Sequence, residues 1–429
     1  MGILKSEKLI VGYDLGNDFS QISYAVSADG EVETLSQVTG EQVYNIPTAL
    51  CKRRGVNQWF YGKEALRYAA EQQGILVENL LDLALNGEPI LIEDISFDPV
   101  ALLTLFFKRS LGRLSQVGTT EKLGALMITC EQLNQRMLEV LNEVIDGLRL
   151  KTDRIFFQTH AESFYDYMIR QPRDLWTAQA MLFDCRNDAV RIYTLDYNKR
   201  TTPIVAFIEE SEADFLLPNQ GGDGQTSLTE AEKQRLDSAF LKLAETACSN
   251  RMISSVFLIG DGFSEEWMKE SLRFLCGRGR RVFQGNNLFG KGACHGMQER
   301  LQASEVGKEY VFLGKDKLKA NIGMDILRQG ESSYLALLDA GVNWYEASHV
   351  TEFYIQDGNQ INIKITPLIG KEVRTDMMVL EDLEGSINRL RARLYLEAEN
   401  SLVMEIEDLG FGAFRAPSGR VWQKVIELY

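Results

Sequence analysis

Three turns rich in glycine and aspartate each follow an apolar segment, and they lie far apart in the sequence. A glycine lets backbone N–H groups close on a phosphate, and an aspartate at the end of a strand can hold a hydrated divalent cation. One such turn is a common connection, but three in this order predict a shared phosphate-binding cleft. The turns are Asp14-Leu15-Gly16-Asn17-Asp18, Asp184-Cys185-Arg186-Asn187-Asp188 and Gly260-Asp261-Gly262-Phe263-Ser264.

Strands and helices of suitable length must carry these turns. The apolar run at 8–13 predicts a buried strand before the first turn, and alternation over 19–26 predicts a strand that returns beside it. Strands and helices that alternate along the next 250 residues are typical of an α/β fold. The predicted strands are 123–129, 154–158, 178–184 and 256–259, and the predicted helices are 98–114, 132–148 and 161–170.

The pattern changes near residue 320. Short alternating strands separated by turns predict a small β-sandwich domain. A chain of 429 residues is long enough for two or three folding units. We therefore predict a first domain over 1–300, a linker over 301–319 and a β-sandwich domain over 320–429.

Charge limits the classes of partner. With 46 basic and 61 acidic residues, the formal net charge is −15, which disfavours binding to nucleic acid or to an anionic membrane. Arg278, Arg280 and Arg281 form one local basic group, for which a solvated turn is the favoured interpretation. No secretory leader and no apolar run of about 20 residues is visible, so we expect a cytoplasmic protein without membrane insertion.

Cysteine and histidine spacing argues against a zinc site. The six cysteines include no CxxC pair, and we expect buried free thiols. The three histidines, His160, His295 and His349, have no metal-ligand spacing.

The turns, taken with their neighbours, resemble the actin-like ATPase superfamily and, within it, the seventy-kilodalton heat-shock (DnaK-type) chaperones. Residues 10–20 resemble the first phosphate loop of that family, and residues 258–264 resemble its adenosine motif. Further similar segments are Asn45-Ile46-Pro47-Thr48, Tyr61-Gly62-Lys63-Glu64-Ala65, Phe289-Gly290-Lys291-Gly292-Ala293 and, in the β-domain, 321–326, 360–370, 391–410 and 418–426.

The resemblance implies a two-lobed actin-like (ribonuclease H-like) ATPase fold over 1–300, followed by a β-sandwich that resembles a chaperone substrate-binding domain without its helical lid. It implies ATP or ADP with magnesium as cofactor, and Asp14 and Asp184 as ligands of the magnesium through water. The nucleotide-binding residues that it implies are Asp14, Leu15, Gly16, Asn17, Asp18, Asp184, Gly260, Asp261, Gly262 and Phe263.

The sequence departs from the family where hydrolysis would occur. The second loop has lost every glycine, and we expect the Arg186 side chain to crowd the phosphate position. No lysine lies between Lys63 and Lys108, where the family has its catalytic lysine. Thr159 stands in the position of the water-orienting glutamate, with Glu162 as a possible substitute one turn on. Losing several positioning groups together predicts weak or absent hydrolysis.

Three functions remain open. The first is a divergent chaperone-like protein that binds ATP or ADP between its lobes and a peptide or protein through its β-domain. The second is a pseudo-ATPase scaffold that binds a partner protein without nucleotide, and the third is a small-molecule kinase of the same superfamily. Trp344, Tyr345, Phe353 and Tyr354 are candidates for a peptide groove, although packing in the core of the sandwich is the favoured interpretation.

Overall fold

The computed structural model describes residues 8–38, 40–117, 123–152, 154–186, 189–215, 228–263, 266–368 and 372–428. The chain is a mixed α/β protein that divides into two units. The N-terminal unit comprises Met1–Tyr197 and Ala206–Tyr310, and the C-terminal unit comprises Asn198–Val205 and Val311–Tyr429.

Strands and helices alternate in the N-terminal unit, whereas strands dominate the C-terminal unit. The helices are α1 Gly62–Ala70, α2 Leu80–Asn86, α3 Pro99–Leu111, α4 Gln135–Leu148, α5 His160–Ile169, α6 Glu230–Cys248, α7 Glu270–Leu275, α8 Leu288–Leu301 and α9 Glu305–Glu309. The strands are β1 Leu9–Leu15, β2 Phe19–Ala25, β3 Glu33–Thr34, β4 Ile46–Pro47, β5 Leu50–Arg53, β6 Trp59–Tyr61, β7 Gly74–Val77, β8 Ile90–Ile92, β9 Ile95–Phe97, β10 Leu123–Cys130, β11 Ile155–Thr159, β12 Gln179–Arg186, β13 Ala189–Asn198, β14 Ile204–Asp214, β15 Ile253–Ile259, β16 Arg281–Gln284, β17 Tyr310–Phe312, β18 Ala320–Arg328, β19 Glu331–Leu338, β20 Ser348–Gln356, β21 Gln360–Pro367, β22 Arg374–Val379, β23 Ile387–Ala398, β24 Ser401–Asp408 and β25 Val421–Glu427.

Two sheets of the N-terminal unit repeat one strand arrangement. The first has the order β11-β10-β1-β2-β3, and the second contains the order β16-β15-β12-β13-β14. In the first sheet β1 is parallel to β10 and antiparallel to β2, while β10 is parallel to β11. In the second sheet β12 is parallel to β15 and antiparallel to β13, while β15 is parallel to β16. Strands β1 and β12 therefore hold equivalent places.

Glycines let α8 approach the first sheet and α5 closely. A Cβ atom on Gly12 of β1 would meet the backbone of Gly290 and Cys294 in α8. A Cβ atom on Gly292 would meet the carbonyl oxygen of Ser163 in α5. Because backbone atoms cannot move aside as a flexible side chain can, these glycines fix the positions of α5 and α8 beside the strand that ends at the first turn.

Helices α3 and α6 of the N-terminal unit begin at the capping residues that the sequence contains. Asp98 accepts from the backbone N–H groups of the first turn of α3, and Pro99 occupies the first helical position. Thr229 and Glu232 form a reciprocal capping box at the start of α6.

The C-terminal unit contains two four-stranded antiparallel sheets. Their strand orders are β19-β18-β21-β22 and β20-β23-β24-β25. Along β23, Leu390, Ala392 and Leu394 are fully buried and alternate with side chains on the other face, as the sequence pattern predicts. The segment 301–319, predicted as a linker, contains α9 and β17, and the boundary between the units falls within it, after Tyr310.

Candidate functional site

Asp14, at the end of β1, is paired with a histidine. Its side chain is almost fully buried, and its Oδ1 lies 2.8 Å from Nε2 of His160, the first residue of α5. The imidazole stacks face to face on Phe289, with 4.0 Å between ring centroids and 4° between ring planes. In the tautomer that carries its proton on Nε2, the imidazole donates to this carboxylate oxygen. A side chain of the protein therefore already occupies one oxygen of this predicted magnesium ligand.

Asp184, near the end of β12, is paired with an arginine. Nε of Arg186 donates to Oδ1 of Asp184 at 2.8 Å, and the carboxylate is 4% exposed. Burial alone lowers the pKa of Arg186, but attraction to Asp184 and then to Asp14 outweighs it, so the pKa is raised above its usual value. Arg186 therefore remains a cation whose charge acts on the carboxylates of both equivalent strands.

The third turn packs directly on the second. Gly260 has a φ of 92°, and a Cβ atom there would meet the carbonyl oxygen of Cys185 and lie 2.9 Å from Oδ1 of Asp184. Only glycine tolerates both conditions. The amide of Gly262 donates to the carbonyl of Cys185 at 3.2 Å. The structure thus brings Asp14, Asp184 and Gly260 together. The backbone N–H group of Gly262, however, is bonded to a carbonyl of the protein itself.

Asp261 connects the third turn to the first sheet. Nδ2 of Asn45, next to β4, lies 3.3 Å from each carboxylate oxygen of Asp261. Loss of water raises the pKa of Asp261, and the charge of Arg186 and the hydrogen bond from Asn45 oppose this shift.

Little space remains among the three turns. The cavity bordered by Asp14, Arg186, Gly260 and Asp261 has a volume of about 10 Å³, which is room for roughly one water molecule. A cavity of this size does not fit a triphosphate with its magnesium ion, and a guanidinium and an imidazole already pair with the two carboxylates. Within the described ranges, no three His, Cys, Asp or Glu side chains are grouped as a metal site requires.

A larger cavity, of about 400 Å³, adjoins the first turn, and we call it the side cavity. Gly16, Asn17 and Asp18 form part of its wall. The Asn17 side chain donates to Asp82 of α2 at 2.7 Å and to Asn79 at 3.2 Å, so the turn is fixed to α2. The complete lining is Leu15, Gly16, Asn17, Asp18, Phe19, Leu81, Asp82, Leu85, Glu131, Gln132, Asn134, Met137, His160, Asp184, Arg186, Ala189, Arg191 and Glu212.

Arg191 joins the two sheets across the side cavity. It lies opposite Asp184 on β13 and forms ion pairs with Glu131, which follows β10, and with Glu212 of β14 at 2.7 Å. The sequence motifs do not mark Arg191, Glu131, Asn45 or His160 as site residues. Glu131 does carry a usable signal, because it directly follows an apolar strand, as the first turn does.

Some predicted site residues lie elsewhere. Phe263 is buried in the hydrophobic core, 4.8 Å from Phe240 and 6.2 Å from Trp267 between ring centroids, and its side chain therefore packs within the core. Thr159 caps α5 by accepting from the amide of Glu162 at 3.3 Å, and both are buried. Asn187, Asp188 and Ser264 lie outside the described residues.

The arginines of the predicted basic group make different contacts, and the aromatic residues proposed for a groove lie in different places. Arg280 is buried and donates to the last carbonyls of α7, while Arg281 pairs with Asp174 at 2.6 Å. Trp344 is buried, whereas Phe353 and Tyr354 are consecutive residues of β20 and point to opposite faces. These aromatic residues therefore do not line one groove.

Cysteines of the described chain are free thiols, of which Cys276 is exposed and the other five are buried. No helix in the described ranges is long and apolar enough to cross a membrane.

Comparison with known proteins gives two family matches. A family of unknown function, described as DUF5716 C-terminal, matches residues 31–315. A domain of unknown function, DUF8552, matches residues 317–428. Among curated proteins, none matches the chain.

Proposed function

Because the chain belongs to the DUF5716 C-terminal family, whose function is unknown, we propose a function from its geometry: a pseudo-ATPase scaffold that binds a partner protein without nucleotide. The scaffold is a two-lobed actin-like core in which the phosphate-binding centre has become an internal ion-pair network. This is the second of the three functions that the sequence left open.

The repeated strand order supports the actin-like part of the proposal. Each sheet has a central strand, β1 or β12, with a parallel neighbour on one side and an antiparallel hairpin partner on the other. Asp14 and Asp184 occupy corresponding places on these strands, opposite Gln21 and Arg191 of the hairpin partners. Two such lobes facing each other through strand-end carboxylates are what the resemblance implies.

The position of Arg186 carries the nucleotide-free part of the proposal. A magnesium–triphosphate site needs carboxylates open to water and backbone donors directed at phosphate oxygens. Here the guanidinium sits on Asp184 at 2.8 Å, and it lines both the cavity of about 10 Å³ that Gly260 and Asp261 border and the side cavity. Thr159, in the position of the water-orienting glutamate, is used to cap α5. Binding a nucleotide in this place would require Arg186 to leave a buried partner.

An exposed aromatic cluster on the C-terminal unit supports partner binding. Tyr354, Phe411 and Phe414 follow one another with 6.1 Å and 6.0 Å between ring centroids, and Phe414 is 88% exposed. Asp408, fully buried, accepts two hydrogen bonds from Arg415 at 2.8 and 2.5 Å, which holds the loop that presents Phe414. Aromatic residues on a rigid loop provide contact area for a protein at low entropic cost.

Calorimetric titration with ATP and ADP in magnesium tests the proposal. We expect no binding heat at millimolar nucleotide, neither for the wild type nor for Asp14→Asn, and equal background phosphate release from both. Saturable heat in the wild type that Asp14→Asn abolishes would overturn the scaffold and favour the ATP-binding, chaperone-like alternative.

A further inference from the structure

The side cavity has the size of a ligand site and a definite charge. Its volume of about 400 Å³ lies in the range of small-molecule pockets, roughly 300–1,000 Å³. Five carboxylates and two guanidiniums line it, so acidic groups exceed basic groups by three. The carboxylates belong to Asp18, Asp82, Glu131, Asp184 and Glu212, and the guanidiniums to Arg186 and Arg191.

Both guanidiniums form ion pairs with carboxylates that also line the cavity. Arg186 binds Asp184, and Arg191 bridges Glu131 and Glu212. An anionic ligand would have to displace one of these pairs and also meet the excess acidic charge. A cationic ligand need not displace either ion pair, and the excess acidic charge attracts it.

Part of the wall is aliphatic. Leu81 and Leu85 of α2 and Met137 of α4 contribute to the lining. An aliphatic surface beside an acidic one suits a ligand that carries its charge at the end of a hydrocarbon stem, as lysine and arginine side chains do. An inorganic cation would leave the aliphatic part unused.

His160 supplies an independent observation. Its side chain is 6% exposed, it lines the side cavity, and within the described part of the chain Nδ1 has no hydrogen-bond partner. In the tautomer whose Nε2–H donates to Asp14, Nδ1 is left as an acceptor. A buried acceptor without a partner favours a ligand that donates N–H groups.

We propose that the side cavity binds an alkylammonium or alkylguanidinium group, as offered by a lysine or arginine side chain of a partner or by a free aliphatic amine. The aliphatic stem packs on α2 and α4, and the cationic head lies toward the first turn. The role of the cavity in holding a partner protein rests on the proposed scaffold function. Binding of the free amine or guanidine does not depend on that function.

Titration of the full chain at low salt with three probes tests this site. The probes are N-acetyl-lysine amide, 1,5-diaminopentane and N-acetyl-norleucine amide, which keeps the stem and lacks the amine. We expect the lysine amide to bind and the norleucine amide not to bind. Binding by both amines assigns the site to the ammonium group alone, and binding by the lysine amide only assigns it to a side chain.

Variants locate the binding. Asp18→Asn should raise the dissociation constant of the lysine amide roughly fivefold, whereas Asp29→Asn, in an exposed turn outside the lining, should leave it unchanged. Thermal unfolding of each variant verifies that it is folded. The proposal is overturned if neither amine binds, if the norleucine amide binds equally well, or if Asp18→Asn has no effect. Nucleotide binding, by contrast, would overturn the scaffold and leave these titrations valid.

Discussion

At the residue scale, the site depends on charges that the chain itself balances. Asp184 is nearly inaccessible to water, and the guanidinium of Arg186 lies against it. Removing one partner of such a pair leaves a buried charge uncompensated, which is far more damaging than losing an exposed ion pair.

We therefore predict that Arg186→Met lowers the free energy of unfolding by about 3–5 kcal/mol at neutral pH. Part of the loss should return when Asp184 is also changed to Asn, because the uncompensated charge is then gone. Chemical unfolding of the four members of the double-mutant cycle measures the coupling. Arg273→Met, at an arginine that is 82% exposed, is the control and should change stability little. Equal effects of the two arginine variants would contradict the prediction.

His295 of α8 predicts how stability depends on pH. Burial lowers its pKa to about 4, with Arg170 and Lys291 acting in the same direction and a hydrogen bond from the ring to Oε1 of Gln298 opposing. The unfolded chain, in which histidine has its ordinary pKa near 6.5, then binds more protons between pH 6.5 and pH 4. The stability that comes from neutral His295 is thus complete above pH 6.5 and is lost as the pH falls toward 4.

His295→Gln should accordingly reduce the loss of unfolding free energy between pH 7 and pH 4.5, by about 2–3 kcal/mol at most. Denaturant titrations at the two pH values measure the difference. Between pH 7 and pH 8 the imidazole titrates little in either state, so wild type and variant should change nearly in parallel. An unchanged acid response in the variant would show that His295 does not control it.

At the element scale, helix α8 is held by close backbone contacts. We predict that Gly292→Ala destabilises the protein by about 1–3 kcal/mol, because the new Cβ meets the carbonyl of Ser163, and this overpacking exceeds the gain in helix propensity. Gly285→Ala is the control, since a Cβ there has nothing within 4 Å. Thermal unfolding by circular dichroism should show a lower midpoint for the first variant only. Faster amide exchange in α5 and α8 would locate the damage.

Elements were predictable where a local pattern determines them. The strands at β1, β12 and β15 follow from apolar runs that end in Gly or Asp turns, and α3 and α6 follow from their capping residues. Helix α2 was not predicted, because it is short and its N-cap residue Asn79 makes no side-chain capping bond.

The site was predictable only in part, for a related reason. The convergence of the three turns follows from strand order, and the loss of glycine in the second turn predicted that Arg186 would crowd the cleft. The pairing of His160 with Asp14 joins residues 146 positions apart and depends on how α5 packs, which no local pattern contains. The same holds for Arg191, whose partners Glu131 and Glu212 come from two different sheets.

At the scale of the whole molecule, the sequence order of the two units is interleaved. Asn198–Val205 groups with the C-terminal unit although it lies within the sequence of the N-terminal unit, and Val205 is fully buried. We predict that a chain ending at Tyr310 exposes this segment and binds a hydrophobic dye that the full chain does not bind. Val205→Thr in the shortened chain should reduce the dye signal, whereas Val26→Thr, at a side chain already 45% exposed, should not. A shortened chain without dye binding would contradict the prediction.

Arg186 is covalently part of the chain, and that has a consequence for regulation. A metal or nucleotide occupies its receptor to an extent set by its cellular concentration, so a protein that depends on one reports the supply of that compound. A guanidinium attached two residues from its carboxylate is present at a fixed local concentration whatever the state of the cell. On our proposal the folded core therefore keeps the same conformation during starvation and growth alike. Any signal that changes this conformation must act through another surface.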